Sequence, residues 1–168
     1  RILRFEPGAT EGKLVAGTGA AGSGLSELNK PSCVAPLQDG GFLVADFMNH
    51  RILRFEPGAT EGKLVAGTGA KGSGLSELNQ PICVAPLQDG GFLVADDSNH
   101  RILRFEPVAF EGKLVAGTGA KGSGHSELNQ PFCVAPLQDG GFLVADFMNH
   151  SILRFEPGAT EGKLVAGT

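Results

Sequence analysis

Two residue types with the potential for chemistry recur at a spacing of 50: His50, His100 and His150, and Cys33, Cys83 and Cys133. Imidazole and thiolate groups are the usual ligands of zinc, but structural zinc sites place cysteines two to four residues apart. No such pair exists in this sequence. We therefore predict buried free thiols that act as small apolar groups, histidines that brace turns, and neither a metal nor a cofactor.

Other catalytic patterns are weak. Asp96 and Asp97 are adjacent carboxylates, but neighbours at a strand end point to opposite faces and make a poor acid/base couple. The glycine-rich stretch GTGAKGSG (67–74) is followed by no Gly-Lys-Ser/Thr, so it predicts a loop rather than a phosphate-binding turn. No catalytic residue is predicted, and we expect a protein that is not an enzyme.

The spacing of 50 belongs to an internal repeat. RILRFEP begins at Arg1, Arg51 and Arg101 and returns as SILRFEP at Ser151. The copies are nearly identical and differ at nine of the 50 columns. The 168 residues hold three periods and 18 further residues, so the first and last 18 residues are nearly the same. Such similarity fits either recent duplication or engineering.

Each period contains four short apolar runs separated by turn residues. In the first full period they are run A (32–38), run B (41–47), run C (51–57) and run D (62–68). Their length and their content of Val, Leu and Phe predict β-strands, and Asp39-Gly40 predicts a tight A–B hairpin. Run B is continuously apolar, so both faces of each sheet should be covered. The pattern predicts an all-β fold with four-stranded antiparallel blades, a β-propeller.

Proline sets the expected strand order. Pro36 in run A cannot donate to a ladder and belongs at a sheet edge, which places run A innermost. A single repeat domain, 1–168, then divides into a half blade of two outer strands (1–18) and three whole blades (19–68, 69–118 and 119–168).

The residues resemble the NHL repeat. The elements that carry the resemblance are Leu28-Asn29, Pro31, Val34-Ala35, Asp39-Gly40, Val44-Ala45-Asp46 and Asn49-His50-Arg51-Ile52. Cys33 and Phe47-Met48 depart from the family pattern, and the glycine-rich loop is longer than usual. The resemblance implies a β-propeller that serves as a binding or scaffold module. A kelch repeat is disfavoured because the chain has no Tyr or Trp.

Three and a half blades cannot close a ring, since propellers usually have four to eight blades. An open arc would expose two apolar blade faces, which favour association. We expect a homodimer with a six-bladed ring. Residues 1–18 and 151–168 would then compete for the A–B hairpin at 132–147, so strand exchange and larger assemblies are also expected.

The variable columns suggest a ligand surface. Seven of the nine lie in the D–A loop, at the start of run A, or in the B–C loop and the residue after it. These connections share one end of a propeller, and a protein or peptide ligand would bind there. The candidate binding residues are Ser32, Phe47, Met48, Ile82, Asp97, Ser98, His125, Phe132, Phe147 and Met148.

The formal charge of −4 argues against a nucleic-acid partner. No apolar run approaches the ~18 residues of a membrane span, so a soluble chain is expected and its compartment is left open. Two alternatives stay open: an engineered or excised propeller fragment that only self-assembles, and a metal-dependent enzyme resembling the peptide-amidating lyases.

Overall fold

The computed structural model describes residues 1–167, which form short strands joined by turns. The strands are β1 (Ile2–Arg4), β2 (Lys13–Ala16), β3 (Pro31–Pro36), β4 (Phe42–Asp46), β5 (Arg51–Phe55), β6 (Lys63–Ala66), β7 (Pro81–Pro86), β8 (Phe92–Asp96), β9 (Arg101–Phe105), β10 (Lys113–Gly117), β11 (Pro131–Pro136), β12 (Phe142–Asp146), β13 (Ser151–Phe155) and β14 (Lys163–Gly167). The helical segments in this range are three-residue 3-10 turns, and none is long and apolar enough to cross a membrane.

The strands form three four-stranded antiparallel sheets and one pair. We call β3–β6 the first sheet, β7–β10 the second sheet, β11–β14 the third sheet, and β1–β2 the half-sheet; within each, strands pair in chain order. The innermost strands β3, β7 and β11 contact one another in succession. The predicted four-stranded antiparallel meander with run A innermost is therefore confirmed, and the sheets stack like propeller blades.

Each A–B hairpin closes as the sequence predicts. Gly40 has a φ of +86°, a conformation that glycine adopts without strain. The Gly41 amide donates to the Asp39 carboxylate at 2.9 Å, and the Leu37 amide donates to the Gly41 carbonyl at 2.8 Å. The turn fixes the register in which Val44 lies between Val34 and Leu53.

The core lies between the sheets rather than within one. Val44 and Ala45, adjacent on β4, are both 0% exposed, so both faces of this strand are covered, as its continuous apolar run predicts. The ring of Phe42 stacks on that of Phe55 at 5.1 Å. The same stack recurs in the second and third sheets, so each repeat contributes the same apolar layer.

The half-sheet covers only the outer part of the first sheet. Ala16 and Ile2 pack there against Leu53 and Phe55. Phe5 holds the repeat position of Phe55, yet it is 56% exposed whereas Phe55 is 0% exposed. The difference arises because no A–B hairpin lies inside the half-sheet to supply the stacking ring.

The thiols do not share one environment. Cys83 is buried, Cys33 is half-buried and Cys133 is exposed, so the prediction of three buried thiols is wrong for Cys133. Each cysteine faces the next sheet along the chain, as the contact of Cys33 Sγ with the Val84 carbonyl at 3.7 Å shows. No sheet in residues 1–167 follows the third one, and Cys133 therefore faces solvent.

Candidate functional site

The candidate residues concentrate where run A begins and run B ends, which we call the upper end of the sheets. Here a 3-10 turn such as Phe47–Asn49 joins β4 to β5. The Met48 amide donates to the Asn29 carbonyl at 3.1 Å. His50 closes the turn with a φ of 50°, so the turn backbone is anchored to the segment that enters run A.

A buried polar cluster holds the glycine-rich loop at this end. In the second sheet Asp96, 0% exposed, accepts from the Asn79 amide at 2.7 Å, from Asn99 Nδ2 at 2.8 Å and from Arg101 Nε at 2.7 Å. The Arg101 guanidinium also donates to the carbonyls of the loop, at Ser73, Gly74 and Glu77. Asp96 and Arg101 therefore form a buried ion pair, which positions the loop rather than a ligand.

The third sheet lacks this guanidinium because Ser151 replaces the arginine. Asp146 is still 1% exposed. It keeps its bonds from the Asn129 amide at 2.7 Å and from Asn149 Nδ2 at 2.7 Å. Of the three equivalent buried carboxylates, Asp146 is therefore the one whose charge has no arginine to balance it.

The histidines join neighbouring sheets. His50 Nδ1 accepts from the Gln80 amide at 3.1 Å, and His100 Nδ1 accepts from the Gln130 amide at 3.1 Å. Burial lowers the pKa of His50, which favours the neutral ring that can accept this bond. Among the residues described, no three His, Cys, Asp or Glu side chains converge as metal ligands. The histidines thus brace the junction between a B–C turn and the next run A.

His125 does not lie with the other predicted binding residues. Its carbonyl accepts from the Gly162 amide at 2.7 Å, and Gly162 directly precedes β14 at the end of the sheet opposite to Phe147 and Ser151. The D–A connection descends along the outer strand before it returns to the inner one. The prediction that the whole D–A loop shares the upper end is therefore wrong for this residue.

The other nine residues lie at the upper end, where some bond to a neighbouring sheet and others bond within their own repeat. Ser32 Oγ donates to the Pro81 carbonyl of the second sheet at 3.3 Å. Ser98 Oγ donates to Gln80 Oε1 at 2.7 Å. Ile82 is half-buried, while Met48 and Met148 are exposed.

Burial in one variable column depends on position in the arc. Phe47 is half-buried, Asp97 is 8% exposed and Phe147 is 58% exposed. Desolvation raises the pKa of Asp97, since a carboxylate at a junction between sheets loses water. This column therefore forms the upper seam between successive sheets, and only its last member is open.

The open member belongs to an apolar end face on the third sheet. The Phe132 and Phe147 rings pack at 5.7 Å, and a shallow depression beside them is lined also by His150, Ile152 and Ala166. The sequence reasoning missed Cys133 as part of this face. The number of complete blades could have indicated this exposure, because the last blade of an open arc must have one uncovered side.

Solved structures of low sequence identity share the fold. A protein of unknown function from Bacteroides thetaiotaomicron matches with a TM-score of 0.59 and 19% identity, covering 69% of this chain and 32% of its own. An auxiliary nutrient binding protein from the same organism matches with a TM-score of 0.59 and 19% identity, covering 72% and 36%. A putative phosphatase from that organism matches with a TM-score of 0.58 and 15% identity, covering 81% and 35%. The chain thus spans about a third of each of these proteins, and no curated protein matches it.

The NHL repeat family matches two segments, residues 28–55 and 78–105. Each segment runs from the entry of run A through run C and includes the buried cluster around Asp46 or Asp96. The resemblance predicted from the sequence is therefore confirmed at these two segments.

Proposed function

We propose that this chain is a non-enzymatic propeller module that associates with a second copy of itself to close a six-bladed ring. The observation that carries the proposal is the burial of one repeated valine. Val34 on the first sheet is 46% exposed, whereas Val84 is 2% and Val134 is 3% exposed. The three valines hold the same position in their strands, and Val84 and Val134 pack against the preceding sheet. The first sheet therefore presents an unfilled junction.

The third sheet offers the complementary side of that junction. Phe147 is 58% exposed, and its repeat equivalents are covered by the sheet that follows. His150 holds the position from which His50 and His100 accept an amide of the next run A. In a second copy, Lys30 has the matching backbone conformation, with a φ of 50° against 57° for Gln80. Its amide would complete the missing bond.

The half-sheet must adjust for the ring to close. It occupies the outer part of the position behind the first sheet, which the third sheet of the other copy would also need. The arrangement we favour pairs the β11–β12 hairpin of one copy with β1 of the other, whose inner edge is open in residues 1–167. Phe142 would then stack on Phe5, as it stacks on Phe155 within its own sheet. The displaced pair can recruit further copies and form larger assemblies.

A ligand surface at the upper end is the second part of the proposal. Met48 is 36% exposed, and Ser98 and Ile82 lie half-buried beside it along successive repeats. Most of the variable columns lie at this rim on a fixed framework, which supports a protein or peptide ligand. Phe132 and Phe147 are assigned instead to the closing junction, because the next sheet covers their repeat equivalents.

Mass in solution tests the ring. Light scattering should report twice 17.3 kDa at micromolar concentration. Val34→Glu should shift the mass to that of one chain, because the charge would lie in the closed junction. Val108→Glu is the matched control, since Val108 is fully exposed on a C–D loop and its replacement should leave the dimer intact. A compact wild-type monomer, or equal effects of the two variants, would refute the proposal.

A further inference from the structure

The three cysteines form a row along the inner strands. Cys33, Cys83 and Cys133 hold the same position in β3, β7 and β11. Cys83 Sγ lies 3.8 Å from Cys133 Sγ and 3.9 Å from the Val134 carbonyl. Inner strands of adjacent sheets thus bring two thiols from residues 50 apart into direct contact.

We propose that Cys83 and Cys133 are a disulfide site that links the second sheet to the third. Nothing else in the described structure separates the two sulfur atoms. A rotation of the side chains must shorten their separation to about 2.05 Å. The bond would lie on the inner edge of the arc, where the two sheets are already packed by apolar contacts.

The reaction needs a small disulfide such as oxidised glutathione. The Cys133 thiolate attacks one sulfur of the oxidant, forming a mixed disulfide and releasing one glutathione thiolate. Cys83 then loses its proton to solvent and attacks the Cys133 sulfur, releasing the second glutathione thiolate. The two cysteines are oxidised, the one oxidant molecule is reduced to two thiols, and no atom is left over.

The environments of the two thiols set the order of these steps. Cys133 is exposed and Cys83 is buried, so the oxidant reaches Cys133 first. A hydrogen bond with Cys33 and burial both raise the pKa of Cys83, which makes the second step the slow one. The same hydrogen bond lowers the pKa of Cys33, so Cys33 is the competing thiol. Cys83 can bond to only one neighbour, and its link to Cys133 would leave Cys33 free.

The bond would tie down the sheet that has least support. The third sheet is covered on one side only, and its buried Asp146 has no arginine beside it. A crosslink between residues 83 and 133 closes a loop of roughly 50 residues and restricts the unfolded chain. Oxidation should therefore raise the melting temperature, by about 5 °C or more for a domain of this size.

Oxidised glutathione under native conditions is the test. The wild-type chain should lose two of its three thiols, and non-reducing peptide mapping should find Cys83 joined to Cys133 within one chain. Cys33→Ser, the matched control, should give the same link at the same rate and leave no thiol. Cys133→Ser should slow the loss of thiols at least about tenfold, because Cys83 is then the only partner near Cys33 and is buried.

Three results would overturn the proposal. In the first, the reaction of Cys133 stops at the mixed disulfide. In the second, Cys133 bonds to Cys133 of another chain. In the third, the Cys133→Ser variant links Cys33 to Cys83 as fast as the wild type forms its bond. The proposal does not depend on ring closure, because the link lies within one chain. A closed ring would cover Cys133, so the bond should form in the monomer and more slowly in the dimer.

Discussion

Restoring the missing arginine, Ser151→Arg, should stabilise the protein. In the second sheet Arg101 neutralises the buried Asp96 and donates to three loop carbonyls. In the third sheet Asp146 is as deeply buried as Asp96, and Ser123, Gly124 and Glu127 hold the repeat positions of the acceptors. The substitution therefore adds a cation to a site whose acceptors are already in place.

The expected magnitude is smaller than the cost of the reverse change. Removing one partner of a buried ion pair costs about 3–5 kcal/mol, because the other charge stays buried and uncompensated; this is the expectation for Arg101→Ser. Adding the arginine gains charge-assisted hydrogen bonds of about 1.5–3 kcal/mol each. Desolvation of the guanidinium cancels much of that gain. We expect a net stabilisation of about 1–3 kcal/mol.

Urea unfolding of the wild type, Ser151→Arg and Arg101→Ser provides the assay, with hydrogen exchange of residues 122–129 as a local measure. The midpoint should rise for the first variant and fall for the second with little change in the denaturant slope. Exchange in the loop should slow only in Ser151→Arg. An unchanged or lower urea midpoint for Ser151→Arg, together with unchanged hydrogen exchange in the loop, would show that the carbonyls are not positioned to receive the guanidinium.

Four further outcomes are expected. Phe55→Ala should lower the free energy of unfolding by about 3–5 kcal/mol, as for a buried aromatic ring. Phe5→Ala should lower it by under about 1 kcal/mol in the dissociated chain, because Phe5 is 56% exposed. Chemical denaturation of both variants measures the difference, and equal losses would mean that Phe5 is as fully packed as Phe55. Val108→Gly should stabilise by about 1–2 kcal/mol, since a β-branched residue is strained at the observed φ of 58°, whereas Gly58→Val should destabilise. Unchanged melting temperatures in both variants would show that Val108 is not strained. Asp97→Asn should stabilise at neutral pH, because the raised pKa of Asp97 means that folding favours the protonated acid. That contribution is complete below the unfolded pKa of 3.8 and is lost as pH rises through the folded value. The melting temperature of Asp97→Asn should therefore exceed that of the wild type by more at pH 7 than at pH 3, and a constant difference would contradict the assignment. Deleting residues 1–18 should keep the dimer and its melting temperature and abolish larger assemblies in sedimentation; deleting 151–168 should keep a dimer that dissociates more readily on dilution, and an unfolded product from either deletion would rule out the six-bladed count.

Local sequence patterns were enough to predict the strands, their order within a sheet and the hairpin turn. Pro36 in run A, Asp39-Gly40 and the continuous apolar run B each act through backbone geometry or through the nearest strand. The pairing of Asp46 with Arg51 was also predictable, since residues five apart across a B–C turn end side by side at the upper end. These features depend on contacts that every copy of the repeat makes for itself.

Contacts between repeats could not be read in the same way. His50 was expected to brace its own turn. Its backbone does close that turn, but its side chain accepts an amide from the next sheet. His125 was expected at the upper end, and the descent of the D–A connection along the outer strand places it beside Gly162. Both positions depend on how a long loop crosses from one sheet to another, which no short-range pattern encodes.

The sequence by itself determined what each repeat is, and the tertiary structure decided what each copy does. Val34 and Val84 have the same neighbours in sequence and the same strand pairing, yet their exposed fractions are 46% and 2%. Cys83 and Cys133 are likewise equivalent in sequence, and one is buried while the other is open. The physical reason is that apolar burial here is completed between sheets, so the surface on which a residue ends depends on the presence of a neighbouring sheet.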